Sequence, residues 1–336
     1  MSDRRSCTLR DRGNARGRSL FSSCGAPSAR LEPSPMKRTF ATTTLAFALL
    51  GVAACKGGGA DSAKLIPDAA TMVAGVDVKA LLGTKLYTDN KALIEQGESK
   101  EMLDAATACN LGTDKWKNIV IGFDMTKNQG AAVINADGIG KEENLTCING
   151  KVKEKQGTEP FKIEDKDGKK VLTMEDGSVG YIINEGTLVV ASKDWAAPVK
   201  DLIDGKGKSV FDGGLKDVIG RTDTGKHIWF AGSLPAEAIK GSPAEGAKDV
   251  AGSLDLSGGV AVAASVGFGS ADDATKKKDE LQKQFDQFKG MAGGMGVPQG
   301  VVDSVKIDAS GNAVTVAAKA SEDDLKKIQE GVMAKM

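Results

Sequence analysis

The sequence predicts an α+β protein of two related halves, each an antiparallel sheet with helices packed on one face. Three observations lead there. Short runs rich in Val, Ile and Thr come in pairs joined by Asp-Gly and Asn-x-Gly turns, which is antiparallel hairpin chemistry. Longer stretches carry apolar residues three and four apart, and two of them open on Ser-x-x-Asp, a capping-box pattern. The order strand, helix, paired strands, helix, strand hairpin, helix also occurs twice, over residues 65–207 and 208–336.

In the first half Thr71 to Asp77 reads as a strand and Val78 to Leu82 as a helical turn. Lys91 to Gln96 and Ser99 to Cys109 are expected helices, the second with Met102, Ala105, Ala106 and Cys109 on one face. Asn118 to Asp124 (NIVIGFD) and Ala131 to Ala136 (AAVINA) form two strands, followed by a helix from Lys141 to Ile148. A meander follows over Phe161–Glu164, Lys170–Met174, Val179–Asn184 and Thr187–Ser192, with turns at Asp167-Gly168, Asp176-Gly177 and Asn184-Glu185-Gly186. Ser192 then caps a helix from Lys193 to Ile203.

The second half offers strands at Lys226–Ala231, Leu254–Leu256 and Gly259–Phe268, with a short helix at Pro235–Ile239. Ser270 starts a helix with Ala274, Leu281, Phe285 and Phe288 as its apolar stripe, ending at Gly290 before a Gly/Met loop from Met291 to Gln299. Val302–Asp308 and Ala313–Ala320 form a hairpin, and Ser321 opens a last helix with Leu325, Ile328 and Val332 on one face. Two passages line up between the halves. Gly186–Ser192 and the helix through Val199 and Ile203 parallel Asn312–Lys319 and the helix through Leu325 and Ile328. Val73-Ala74-Gly75 likewise parallels Phe230-Ala231-Gly232. At this level one joined sheet and two separate sheets both remain open.

Met36 to Cys55 reads MKRTFATTTLAFALLGVAAC. Lys37 and Arg38 are a basic start, Thr39 to Val52 an apolar run too short to span a bilayer, and Ala53-Ala54 a small-residue cleavage site. With its cysteine directly after the small residues, the segment resembles the lipobox of bacterial lipoproteins. That resemblance implies diacylglyceryl transfer to Cys55, cleavage before it and acylation of the new amino terminus. Several chains matter physically, because one myristoyl-length chain holds a protein only marginally at ~0.8 kcal/mol per buried methylene. Residues 36–54 are then the signal, and residues 55–64 the anchor with a flexible Gly-rich tether, Lys56 to Ser62. Lys56 is not the aspartate associated with inner-membrane retention in familiar lipoproteins, so the analogy favours the outer membrane. The VAGVD opening strand, Val73 to Asp77, also resembles uncharacterised duplicated lipoproteins and secreted proteins, which brings no activity with it.

Residues 1–35 carry seven arginines and no lysine, whereas from Cys55 onward Arg221 stands alone against 35 lysines. We read this stretch as a non-native, disordered extension, and Cys7 and Cys24 go with it. The chain from Cys55 to Met336 holds 36 basic and 42 acidic residues, a net charge near −6 that gives no nucleic-acid signature. Beyond Cys55 it keeps two cysteines, Cys109 and Cys147. In an oxidising, exported setting an even pair reads as a structural disulfide.

Catalytic patterns are hard to find. His227 is the one histidine of the chain, no G-x-S-x-G elbow occurs, and it reads as a polar strand residue. Glu164–Gly168 looks calcium-like, but Met174 stands where an EF-hand needs its acid, so a hairpin turn is expected. GMAGGMG from Gly290 to Gly296 follows a helix and lacks the Lys-Ser/Thr of a phosphate loop. Trp116, Trp195 and Trp229 are dispersed and read as core anchors. The expectation is a non-enzymatic, lipid-anchored envelope protein that binds or scaffolds, without cofactor or metal, held to the membrane through acylated Cys55 and meeting an envelope protein partner. The alternative is a carrier of an apolar ligand between helices and sheet, near Phe285, Phe288 and Met291.

Overall fold

The structure is a computed structural model that describes residues 59–333 except 97, 167 and 243. The extension, the signal segment, Cys55, Asp167 and the side chain of Val332 lie outside the described residues. A one-turn helix α1 (Gly59–Ala63) precedes strand β1 (Met72–Val76). Helices α2 (Val78–Leu82), α3 (Lys85–Ile94) and α4 (Glu98–Ala108) lead to the hairpin β2 (Trp116–Asp124) and β3 (Gln129–Ala136). Helix α5 (Glu142–Gln156) is followed by the meander β4 (Lys162–Lys166), β5 (Lys169–Thr173), β6 (Val179–Asn184) and β7 (Thr187–Ala191). Helices α6 (Ala196–Ile203) and α7 (Lys216–Ile219) close this part. Next come β8 (Ile228–Ser233), α8 (Ala236–Ile239), β9 (Asp249–Asp255) and β10 (Val260–Gly267). The chain finishes with α9 (Ala271–Ala292), α10 (Gln299–Ser304), β11 (Lys306–Ser310), β12 (Ala313–Ala320) and α11 (Glu322–Met333).

All twelve strands belong to one antiparallel sheet, in the order β11-β12-β10-β9-β8-β1-β2-β3-β7-β6-β5-β4. The two sets of strands meet at β1 and β8, where Gly75 stands opposite Trp229. That answers the question the sequence left open. Trp229 is 1% exposed and reaches across its neighbour strand: a Cβ on Gly75 would lie 2.0 Å from its Nε1. Gly122 of β2 makes room in the same way for Ile66, whose Cγ2 would be 2.1 Å from a Cβ there. The edge strands β4 and β11 carry Lys162, Lys166, Lys306 and Asp308, charges that discourage further strand addition.

Helices cover both faces of the first part of the sheet, which corrects the expectation of one. Val73, Val120, Val133 and Val189 pack with Ile66, Trp195, Val199 and Val218 on one face. Their strand neighbours Ile119, Ile134 and Leu188 pack with Val78, Leu111, Leu145 and Phe161 on the other. The physical reason is in the runs themselves: NIVIG and AAVI are apolar at successive positions, and alternation sends half of such a run to each face. In β9 and β10 the pattern does alternate, with Ala251, Ser253 and Ser265 against Val250, Leu254 and Val266. There α9 packs its Ala274 and Leu281 with Val266, Val314 and Ile307.

Side-chain caps set several helix starts. Asp77, Thr84 and Ser270 accept from the backbone N–H groups of Ala80, Tyr87 and Asp273, each at 3.2 Å. The Thr84 cap explains why α3 begins at Lys85, well before the expected Lys91. Helix α5 runs on to Gln156, where Gly157 closes it at φ +79°. Strand β9 begins at Asp249, five residues ahead of the expected Leu254. Helix α9 continues through Ala292 into the expected Gly/Met loop. Val302 to Ser304, expected in a strand, are helical because Pro298 opens α10 just before them. The hairpin turn at Gly168 and the buried placement of Trp116, Trp195 and Trp229 agree with the sequence reading.

Gly75→Ala is expected to lower stability by about 1–3 kcal/mol, because neither Trp229 nor the paired strands have room to yield. Denaturant midpoints of the wild type and the variant check this.

Candidate functional site

The carboxyl end of α1 meets the sheet through a polar cluster. Asn118, Asn135 and Thr187 stand side by side at the ends of β2, β3 and β7, where polar residues break the apolar runs. The Ser62 hydroxyl donates to Asn118 Oδ1 at 3.2 Å and accepts from Asn135 Nδ2 at 2.8 Å. Asn135 Nδ2 also donates to Asn118 Oδ1, and Thr187 Oγ1 donates to Asn135 Oδ1, both at 2.8 Å. Ala63 is fully buried beside them, and Ile66 follows over Gly122. Each such bond contributes about 0.5–1.5 kcal/mol net, so the set fixes α1 firmly to the sheet. The expected tether is therefore shorter than the sequence implied: Gly59 to Ala63 is a docked helix. The sequence showed only glycines and small residues there; the partner asparagines lie more than fifty positions away.

The outer rim of this end is an open depression of about 450 Å³, lined by Asn110, Lys115, Asp137, Lys141, Asn144 and Glu185 among others. Its charges are matched in pairs. Lys115 meets Asp114 at 3.0 Å, Lys141 meets Glu185 at 3.6 Å, and Lys117 pairs with Asp137. The hydrogen bond from Lys117 holds the Asp137 carboxyl below the usual carboxylate range. Cys109 and Cys147 form the expected disulfide beside the depression, with Cα atoms 5.5 Å apart, joining the end of α4 to α5. Asn110, directly after Cys109, takes φ 56°, a left-handed turn that asparagine tolerates.

The other sequence-predicted residues lie apart from this end. Phe285 and Phe288 are half-buried on α9 with ring centroids 6.4 Å apart, and Met291 is 61% exposed. A second depression of about 490 Å³, bordered by Leu234, Glu237, Ile239, Lys240 and Lys248, does not include them. His227 sits just before β8, where its Nδ1 accepts from the Leu256 N–H at 3.2 Å. Burial pushes its imidazole below the usual value, while Asp255 beside it pairs with Lys226 at 2.8 Å. Asp77, missed as a titrating group, is buried at the start of α2, and burial raises its carboxyl to about 7. Among the described residues no three His, Cys, Asp or Glu side chains converge as a metal-binding group. No helix among them is long and apolar enough to cross a membrane.

No family model matches the chain, and no curated protein matches it. Among solved structures the chain is similar to TP0453 at 9% identity. Crystal form III gives a TM-score of 0.49 over 79% of this chain and 96% of that one. Crystal forms IV and I each give 0.46 over 80% of this chain, covering 93% and 96% of theirs.

Two outcomes follow from this geometry. Replacing Cys109 and Cys147 by alanine opens a 38-residue link and is expected to cost about 4 kcal/mol of stability, read by urea unfolding. Asp77, with its value raised from 3.8 to about 7, stabilises the fold fully below pH 3.8 and loses that contribution as pH rises through 7. His227, depressed below 6.5, acts in the opposite sense, its contribution falling away as pH drops. Asp77→Asn keeps the cap on Ala80 and removes only the carboxyl titration. Its melting temperature relative to wild type is expected to climb as pH rises from about 5 to 8; a constant difference across that range would contradict the assignment.

Proposed function

We propose that the chain is a lipid-anchored cell-envelope protein that works by binding or scaffolding rather than by catalysis. The observation that carries this reading is the run MKRTFATTTLAFALLGVAAC, which resembles a lipobox and ends at Cys55. The fold supports it in one respect: helix α1 begins four residues after Cys55, so a chain cleaved there is folded almost from its first residue. The matched charges of the anchor-side rim and the paired surroundings of His227 fit a body that presents surfaces rather than a reactive centre. Met291, exposed on the helix that carries half-buried Phe285 and Phe288, offers the adaptable apolar contact that an envelope partner would use.

We further propose that the body arose by duplication. From β1 the strands spread as β2, β3, β7, β6, and from β8 as β9, β10, β12, β11, so one order is repeated outward from a shared centre. In both sets a hairpin is followed by a long helix, α5 or α9, and then by strands whose last member, β7 or β12, lies on the inside, the first set carrying the extra pair β4–β5 at its edge.

Intact-mass measurement of the membrane-extracted protein tests the anchor. The expected product begins at Cys55 with acyl chains attached, its Cys109–Cys147 bridge closed, and Cys55→Ala leaves the chain unacylated and released from the membrane. A water-soluble native product with residues 36–54 still present would overturn the reading.

A further inference from the structure

We propose that the anchored protein stands on the bilayer in one orientation, with the sheet end that carries Asn118, Asn135 and Thr187 turned toward the lipid headgroups. This rests on acylation of Cys55. The argument is one of reach and direction. Between Cys55 and the docked helix α1 lie only Lys56, Gly57 and Gly58. Four Cα-to-Cα steps span at most about 14 Å, less than the length of the sheet's longer strands. Ser62 lies over Asn118 and Ile66 over Gly122, so the chain here runs in the direction of β2. Continued backward from Ser62, that direction points toward the end formed by the β2 start, the β3 finish and the β6–β7 turn. The lipid must lie on that side.

The rim there fits a headgroup surface. Lys115, Lys117 and Lys141 are each paired with Asp114, Asp137 or Glu185, so the end is polar and close to neutral. It has no excess of cations to demand anionic lipid, and it suits zwitterionic headgroups. The tether therefore orients the body, not an electrostatic patch. The opposite end, with the β2–β3 turn at Met125 to Asn128, then faces away from the bilayer and is open to a partner.

Energy transfer to an acceptor lipid tests the orientation. Glu185→Cys and Met125→Cys place single labelling thiols at the two ends, on side chains 77% and 46% exposed. Each acylated, disulfide-closed variant is reconstituted in phosphatidylcholine/phosphatidylethanolamine vesicles carrying the acceptor, and its mass is checked for acyl chains. The label at position 185 is expected to lie roughly 25 Å closer to the lipid than the label at 125, the span of the intervening strand, with transfer larger by about two-fold or more. The difference should persist at high salt. It should vanish when about twelve Gly/Ser residues are inserted between Gly58 and Gly59, since a coil of that length frees the body to turn. Equal or reversed transfer in an acylated protein would overturn the orientation and leave the anchor standing. Absence of acyl mass at Cys55 would remove the anchor, and the orientation with it.

Discussion

Trp229 and Gly75 face each other across the one junction where the strands of the two parts of the chain pair. The indole occupies the space that any side chain at position 75 would need, and it is almost wholly excluded from water. Because β1 and β8 pair here, every strand belongs to a single twelve-stranded sheet. Without that pairing two smaller sheets would each expose an apolar edge, and edges of that kind invite association. The actual outer edges are instead short and charged.

The junction also divides two ways of covering a sheet. On the β2, β3 and β7 side both faces are apolar, so helices and the Ile66 segment pack from both directions. On the β9 and β10 side one face carries Ala, Ser and Asp. Arg221 lies there, donating to Ser265 at 3.3 Å and pairing with Asp249. A half-buried ion pair of this kind contributes little net stability but keeps polar groups satisfied beside the buried Ser265. Helix α9 serves the other face alone.

These coverings decide which surfaces the fold leaves exposed. The α1 end is fixed to the sheet by Ser62 and its asparagine partners. The disulfide beside it braces α4 against α5, which place Ala106 and Leu145 in the second core. Met291 at the end of α9 and Met125 in the far turn of β2–β3 are exposed. His227 accepts at Nδ1 from the Leu256 amide and Asp255 accepts from Lys226, so both side chains are already engaged within the fold.

By itself the sequence determined the class of fold, most strands, the capping of α9 at Ser270, the disulfide pair and the buried tryptophans. Those features depend on neighbours a few positions away or, for the disulfide, on the two cysteines left once Cys55 is read as the lipidation site and residues 1–35 as non-native. It misplaced what distant residues decide. The tether became a docked helix because Asn118 and Asn135 receive Ser62 across more than fifty positions. The second helical layer was hidden because a continuous apolar run records that a strand is buried on both faces but not what buries it. The joined sheet depended on Trp229 meeting Gly75, a contact of shape between residues 154 positions apart that no local pattern encodes. Local propensity writes the elements; steric fit and polar satisfaction between remote segments arrange them.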